Sequence, residues 1–215
     1  MVLFFPGLSA FGAETNGIIH YSTMRELTRL FAHIIPSMAL LWYLIIVKKS
    51  LIISNKGLVP KREDAISFIW GLPGLIITGA AISALIYLFS SPSILSSTPP
   101  SLPPQFTSPQ NTIGWIVMVF SCIGAGYLEE SFFRFYLLQK LEDWIHFRPV
   151  RIIFSIMLFA ICHSYEGFWG ILNAVLAGLL LSVLYEKYRT LHGIAWAHAC
   201  YNIFVYMRLF QNFRF

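Results

Sequence analysis

The string Glu129-Glu130-Ser131-Phe132-Phe133-Arg134 sets two carboxylates and a guanidinium inside a long apolar stretch. Charged groups in a bilayer core cost on the order of several kcal/mol each, so each one there needs a reason. On a helix, Glu130 and Arg134 are i and i+4, about 40° apart around the axis, and can form an intrahelical ion pair. Glu129 sits about 100° from Glu130 on the same wheel. One carboxylate can therefore be neutralised by the arginine while the other points elsewhere, and that second carboxylate is the candidate for chemistry. The same string also reads as the solvated end of a helix running into a polar loop, with Lys140, Glu142 and Asp143 close by.

Two further pairs share the i, i+4 spacing. Phe159 and His163 lie on one face, where the aromatic ring can hold the imidazole by packing. His198 and Asn202 put two polar side chains on one face of the otherwise apolar segment from Gly193 to Leu209. Such a face must meet a protein interior or a cavity, and a hydrogen bond between helices is the plainer alternative. At the usual helical rise, Glu129 lies about 16 Å from Lys140, His163 about 20 Å from Val150 and His198 about 10 Å from Leu191. The three groups enter from one side and can meet at an intermediate depth. A shared site explains this better than three coincidences.

The elements that must position these groups follow from composition. Of 215 residues, 57% are hydrophobic and 12% charged, roughly half the usual charged fraction. The charges cluster between apolar stretches of membrane-spanning length, which predicts an all-α, polytopic transmembrane helical bundle. About six spans are expected: Leu30 to Val47, Ala65 to Phe89, Thr112 to Lys140, Val150 to His163, Phe168 to Tyr185 and Leu191 to Leu209. A short apolar segment, Met1 to Phe11, precedes them. It is interrupted by Pro6 and Gly7 and lacks a basic stretch before it, so it reads as interfacial or re-entrant rather than as a cleavable signal. A Ser/Pro-rich loop without charge, Ser90 to Asn111, follows the second span. No repeat or internal boundary is visible: 1–215 is one membrane-embedded domain with its motif-bearing core at 113–209.

Charge asymmetry gives an orientation. The loops after spans one, three and five hold Lys48, Lys49, Lys56, Lys61, Arg62, Lys140, Arg148, Arg151, Lys187 and Arg189, against Arg25, Arg29, Arg208 and Arg214 on the other side. The positive-inside rule puts the first set in the cytoplasm and both termini outside. The net charge of +5 therefore flanks spans and forms no stripe, which argues against nucleic-acid binding. Cys122, Cys162 and Cys200 fall in apolar segments without a CxxC pair and read as packing residues.

Glu-Glu-x-x-x-Arg, then Phe-x-x-x-His, then His-x-x-x-Asn, in this order on separate apolar helices, resembles the CPBP family of CAAX prenyl proteases and bacteriocin-processing membrane proteins, also called the Abi family. The resemblance covers roughly Ile113 to Leu209. It implies a glutamate-dependent intramembrane endopeptidase in which Glu129 and His163 bind and activate a water, Glu129 being the general base. His198 and Asn202 would donate to the oxyanion, with Glu130 and Arg134 as supports. It also implies metal-free catalysis. A zinc set of Glu129, His163 and His198 is the chemical rival, but there is no HExxH, and Asn202 is a poor zinc ligand and a good oxyanion donor. The substrate would be a CAAX-like tail, a leader peptide or a membrane protein, reached through a site open towards the cytoplasmic side, and the expected location is a bacterial inner membrane. Two rival functions remain at this level: a non-catalytic binding or immunity protein that keeps the fold, and a transporter or proton relay using the same buried groups. Glu166 reads as facing either the cavity or water, Asn173 as an interhelical hydrogen bond, and Trp169 and Trp196 as span-end aromatics. His20, His33, His146 and His192 have no assigned partner.

Overall fold

The computed structural model describes residues 11–15, 18–47, 59–89 and 105–211. The expected N-terminal apolar segment (apart from Phe11), Lys48, Lys49, Lys56 and Arg214 of the charge count, and most of the Ser/Pro-rich loop lie outside these residues. Within them run six helices: α1 (Thr23–Ile46), α2 (Arg62–Phe89), α3 (Thr112–Glu142), α4 (Arg148–Cys162), α5 (Gly167–Tyr188) and α6 (His192–Gln211). Sequence reading did not anticipate a small sheet. Strand β1 (Phe11–Thr15) pairs antiparallel with β2 (Ile18–Tyr21), which pairs parallel with β3 (Gln105–Phe106). It ties the entry to α1 against the entry to α3, where Tyr21 donates from its backbone to Thr107 Oγ1 at 3.0 Å.

Local chemistry sets the helix ends. Asn111 caps α3 by accepting from the Gly114 N–H at 2.8 Å, and Ser22 caps α1 in the same way. Pro149 lies in the first turn of α4, where its missing N–H costs nothing. Helix α5 stops at Arg189, which turns left-handed at φ 51°.

Among the described residues, four helical stretches are long and apolar enough to cross a bilayer: Thr23–Ile46, Arg62–Phe89, Thr112–Glu142 and Ser164–Tyr188. The other two expected spans fall short for physical reasons. Helix α4 has 15 residues, about 22 Å of helix against a hydrocarbon core of about 30 Å. Helix α6 carries His192, His198, Asn202 and Arg208, which lower its mean hydropathy. These are the helices that bear His163, His198 and Asn202, so function and apolarity compete there. Phe31, Ile69, Trp70, Ile77, Leu88, Ile153 and Met157 are exposed, as a lipid-facing surface requires.

Helix α6 sits between α2 and α3, with Ala195, Ala197 and Ala199 fully buried. A Cβ added at Gly126 of α3 would lie 2.8 Å from the Ala199 backbone nitrogen, and one at Gly71 of α2 would lie 2.9 Å from the Ala197 methyl. Small residues let the backbones approach, the usual source of helix association where lipid removes the hydrophobic driving force. Only 11% of the apolar window of α2 is buried, against 50% for α3, so α2 is a peripheral wall.

Polar ties gather one end of the bundle. Asp64 at the start of α2 accepts from the Gly193 N–H at the start of α6, at 2.8 Å. Arg148 pairs with Glu186 at 2.7 Å, and Arg151 and Arg189 pair with Glu142 at 3.1 and 3.5 Å. The starts of α2, α4 and α6 thus meet the ends of α3 and α5 at a common basic end, so successive helices alternate in direction.

Candidate active site

Helix α3 winds as a π-helix over Ser131–Leu137, directly after the two glutamates. Such turns displace the backbone ladder and recur at functional sites. Here Ser155 of α4 donates to the Phe133 carbonyl at 3.0 Å, fixing α4 against the turn. Glu129 and Glu130 are 1% and 0% exposed, which rules out a solvated helix end. Arg134 donates to Glu130 Oε1 at 3.0 Å and to the Gly178 carbonyl at 3.4 Å, and its guanidinium lies 4.4 Å from the centre of the Phe159 ring. Gly178 leaves the room for this, since a Cβ there would sit 3.4 Å from Arg134 Nη2 and 3.3 Å from Phe159.

The arginine takes Glu130 and leaves Glu129 directed elsewhere, towards an imidazole from α6. His198 Nδ1 lies 2.7 Å from Glu130 Oε1, and its Nε2 lies 3.6 Å from Glu129 Oε2. One imidazole therefore spans the wheel separation between the two glutamates. A carboxylate paired with an arginine accepts, so Nδ1 of His198 carries the proton in that contact. His163 Nδ1 lies 2.8 Å from the Phe159 carbonyl. A carbonyl can only accept, so Nδ1 donates in this contact, and in the neutral ring Nε2 would be the acceptor. Phe159 is the common support: its ring packs on His163 at 4.4 Å and meets His198 edge-on at 6.2 Å.

A cavity of about 170 Å³ takes its polar lining from His163, Glu166, Asn173, His198, Tyr201 and Asn202. At about 30 Å³ per molecule it would hold roughly five waters. The Asn202 Nδ2 and Glu129 Oε2 atoms are buried without a hydrogen-bond partner. Orphaned donors and acceptors at a cavity are costly unless a ligand or water completes them. Among the described residues, no group of three or more His, Cys, Asp and Glu side chains is arranged to hold a metal ion.

The cavity lies at the end of the bundle away from the basic loops, contrary to the expected opening. Its lining includes Glu166, in the turn after α4, and Val205, Tyr206 and Leu209, towards the end of α6. The cause is the length of α4: counted from its basic end, His163 falls just past its last residue.

Sequence reading missed Tyr201 and Tyr206, which look apolar in a span; the one available signal was Tyr201 at i+3 from His198. It also missed the buried pair Glu26–Arg29 on α1, having counted Arg29 as a flanking charge. Asn173 does bond between helices, donating to Tyr201 Oη at 3.5 Å, and Glu166 accepts from Tyr165 Oη at 2.6 Å while lining the cavity. His192 has a partner in Tyr127 Oη at 3.3 Å. His20 and His146 are exposed, and His33 is half-buried. Trp169 stacks with Phe89 at the end of α2, and Trp196 meets Tyr127 edge-on near the start of α6. The three cysteines are free.

Residues 110–204 match the family described as Rce1-like, type II CAAX prenyl endopeptidase. That stretch of the chain is similar to an Rce1-like domain. No curated protein and no solved structure matches the chain. The Rce1-like match spans Glu129, Glu130, Arg134, Phe159, His163, His198 and Asn202. The apolar helices make this an integral membrane protein, and residues 110–204 are similar to a family of peptide-bond-hydrolysing enzymes.

Proposed function

We propose that the chain is a glutamate-dependent intramembrane endopeptidase that cleaves a CAAX-like tail, a leader peptide or a membrane-protein segment. The reading is carried by one observation: two imidazoles and the unpartnered amide of Asn202 line one cavity, and the buried Glu129 stands behind it with Oε2 3.6 Å from His198 Nε2. Glu129 takes the proton of a water that His163 orients through Nε2, and the oxygen attacks the scissile carbonyl without a covalent intermediate. His198 Nε2–H and Asn202 Nδ2–H bind the developing oxyanion, each worth about 3 kcal/mol by comparison with other proteases. Since Nδ1 of His198 already donates to Glu130, a proton on Nε2 makes the ring an imidazolium. Charge balance favours that form: Glu129 and Glu130 against Arg134 leave one surplus negative charge, which the imidazolium offsets. Glu130 and Arg134 hold His198 in place and stay out of the bond-making step. No metal enters this scheme, and Asn202 serves it as a donor where zinc would need a ligand. With the basic loops in the cytoplasm of a bacterial cell, the cavity lies towards the opposite leaflet.

The test compares membrane proteomes of cells that express the wild type, Glu129→Ala or His163→Ala at matched levels. Peptide termini found only with the wild type would establish proteolysis and name the substrate. Identical termini in all three strains, with folded protein in each, would reject the reading. Zinc chemistry is separated by incubating the purified enzyme with 1,10-phenanthroline, which is expected to leave cleavage unchanged.

A further inference from the structure

A groove of about 750 Å³ runs beside the catalytic cavity, between α2, α5 and α6. Its wall on α2 extends from Ile76 to Ile86, about 15 Å at the helical rise. That is half of a hydrocarbon core of about 30 Å, the depth of one leaflet. Ile76, Ile82, Phe204 and Leu209 make the lining apolar, and the Ser83 hydroxyl is committed to the Gly79 carbonyl at 2.9 Å. The deep end meets the catalytic cavity at Asn173 and Tyr201, which line both. The shallow end lies away from the basic loops, where Trp169 lines the groove and stacks on Phe89 with ring centres 6.3 Å apart. An indole at that level belongs to the interface between hydrocarbon and head groups.

Two charged side chains of opposite sign face this groove at its shallow end, Glu166 and Arg208, and both are exposed. They make no ion pair with each other, and Arg208 makes no ion pair or hydrogen bond among the described residues. Every other arginine within α3–α6 and the turns joining them has a carboxylate partner, as Arg134, Arg148, Arg151 and Arg189 show. Glu166 accepts from Tyr165 Oη through Oε1, at 2.6 Å. Its Oε2 is turned towards Gly170, where a Cβ would stand 2.9 Å away, and has no donor among the described residues. An apolar groove one leaflet deep, with an unmet guanidinium and an unmet carboxylate oxygen at head-group level, fits a ligand that carries both charges above a hydrocarbon chain. The guanidinium fork suits a phosphate. The carboxylate oxygen suits an ammonium that has an N–H to donate.

We propose that the groove is a binding site for a phospholipid whose head group carries a phosphate and a primary ammonium, of the phosphatidylethanolamine class. The phosphate lies on Arg208, the ammonium donates to Glu166 Oε2, and the ethylene link between them spans the gap that keeps the two side chains from pairing. One acyl chain runs down the groove along the α2 wall towards Tyr201. Both charges select the head group together. One without an ammonium leaves Glu166 beside a phosphate that it repels, and a trimethylated ammonium has no N–H to give. Seated there, the lipid closes the membrane side of the catalytic cavity.

The experiment uses the full chain, purified and delipidated in detergent, with phosphatidylethanolamine, phosphatidylcholine and phosphatidylglycerol of identical acyl chains. Native mass spectrometry counts the lipids retained. The wild type is expected to hold one phosphatidylethanolamine about tenfold more tightly than either of the others, the effect of one charge-assisted contact. Glu166→Gln should bring phosphatidylethanolamine and phosphatidylglycerol close to equal while still holding both. Arg208→Ala should weaken all three by about tenfold, and Arg208→Lys should restore part of that. Glycerophosphoethanolamine, the head group without chains, should not displace the lipid at equal concentration. Equal retention of the three lipids by the wild type overturns the proposal, and is the result expected if the groove takes a peptide or only bulk lipid. A preference that survives Glu166→Gln overturns it too, since the head group is then read elsewhere. So does tighter binding of phosphatidylglycerol than of phosphatidylethanolamine, which would leave Arg208 as a plain anion contact. Displacement by the chainless head group would overturn the lipid as occupant in favour of a soluble ligand. A Glu166→Gln protein that loses every lipid alike overturns the assignment of the ammonium to that carboxylate.

Discussion

Arg134 is expected to be the residue on which the site's stability depends most. Its side chain and that of Glu130 are both 0% exposed, so Arg134→Met leaves a carboxylate in a dry interior with His198 as its remaining partner. Breaking a buried pair by removing one member typically costs about 3–5 kcal/mol. At roughly 2–4 °C per kcal/mol for a chain of this size, the thermal midpoint should fall by about 6–20 °C. The double variant Glu130→Gln/Arg134→Met removes the stranded charge and should recover about 1–3 kcal/mol of that loss, the coupling expected of contacting residues. Intrinsic-fluorescence melting of the purified protein in one detergent, on wild type, both single variants and the double, reads the cycle directly. Were Arg134→Met to melt within about 2 °C of wild type, or were the two losses simply to add, the ion pair would not be the organising contact of the site.

Asn202→Ala should lower kcat by about 100- to 1,000-fold while leaving the thermal midpoint unchanged, because the amide nitrogen has no partner to lose; peptide cleavage and melting measured together check this. Gly126→Leu should separate α3 from α6, since even a Cβ would fall 2.8 Å from the Ala199 nitrogen. The expected result is at least a tenfold loss of activity in protein that still inserts and extracts normally. Glu166→Cys, placed in a background with Cys122, Cys162 and Cys200 replaced by alanine, should react with a membrane-impermeant maleimide from the side opposite the basic loops. Labelling from the cytoplasmic face instead would reverse the assigned orientation.

The helices were legible because apolar runs in this chain end at charges. The second expected span, Ala65 to Phe89, falls within the helix Arg62–Phe89, and the sixth expected stretch, Leu191 to Leu209, lies on the helix His192–Gln211. The Glu130–Arg134 contact was legible too, since i and i+4 on one helix fix it locally. What needed the structure was everything set by where a neighbouring helix stands. A helical wheel gives a direction for Glu129 and cannot say that an imidazole from α6 fills the angle between it and Glu130. Depth arithmetic measured from the basic end placed His163 correctly, at the end of α4, but took the cavity to open towards the basic end and not away from it. The sheet was invisible because β3 lies more than eighty residues beyond β2. Tyr201, an aromatic within an apolar stretch, shows its hydroxyl's role only once Asn173 stands opposite.

One consequence of His198 bridging both glutamates is that the base and the oxyanion donor are electrostatically linked. Under the proposed chemistry, the resting site holds Glu129 and Glu130 against Arg134 and a protonated His198, with no net charge. When Glu129 takes the water proton it becomes neutral, and the negative charge reappears on the oxyanion. The Nε2–H that had faced Glu129 at 3.6 Å then has the new anion as its strongest acceptor. The total charge in the dry cavity never changes, so no step has to create an unpaired ion in a low-dielectric interior, where that would be most costly. Glu130 and Arg134 fix this count. A Glu130→Gln variant leaves the base, the water and Asn202 in place yet gives the site one surplus positive charge at every step, which favours loss of the His198 Nε2–H proton that the oxyanion needs. Its defect should therefore fall on kcat while KM changes little, and a loss confined to KM would show that Glu130 merely shapes the pocket.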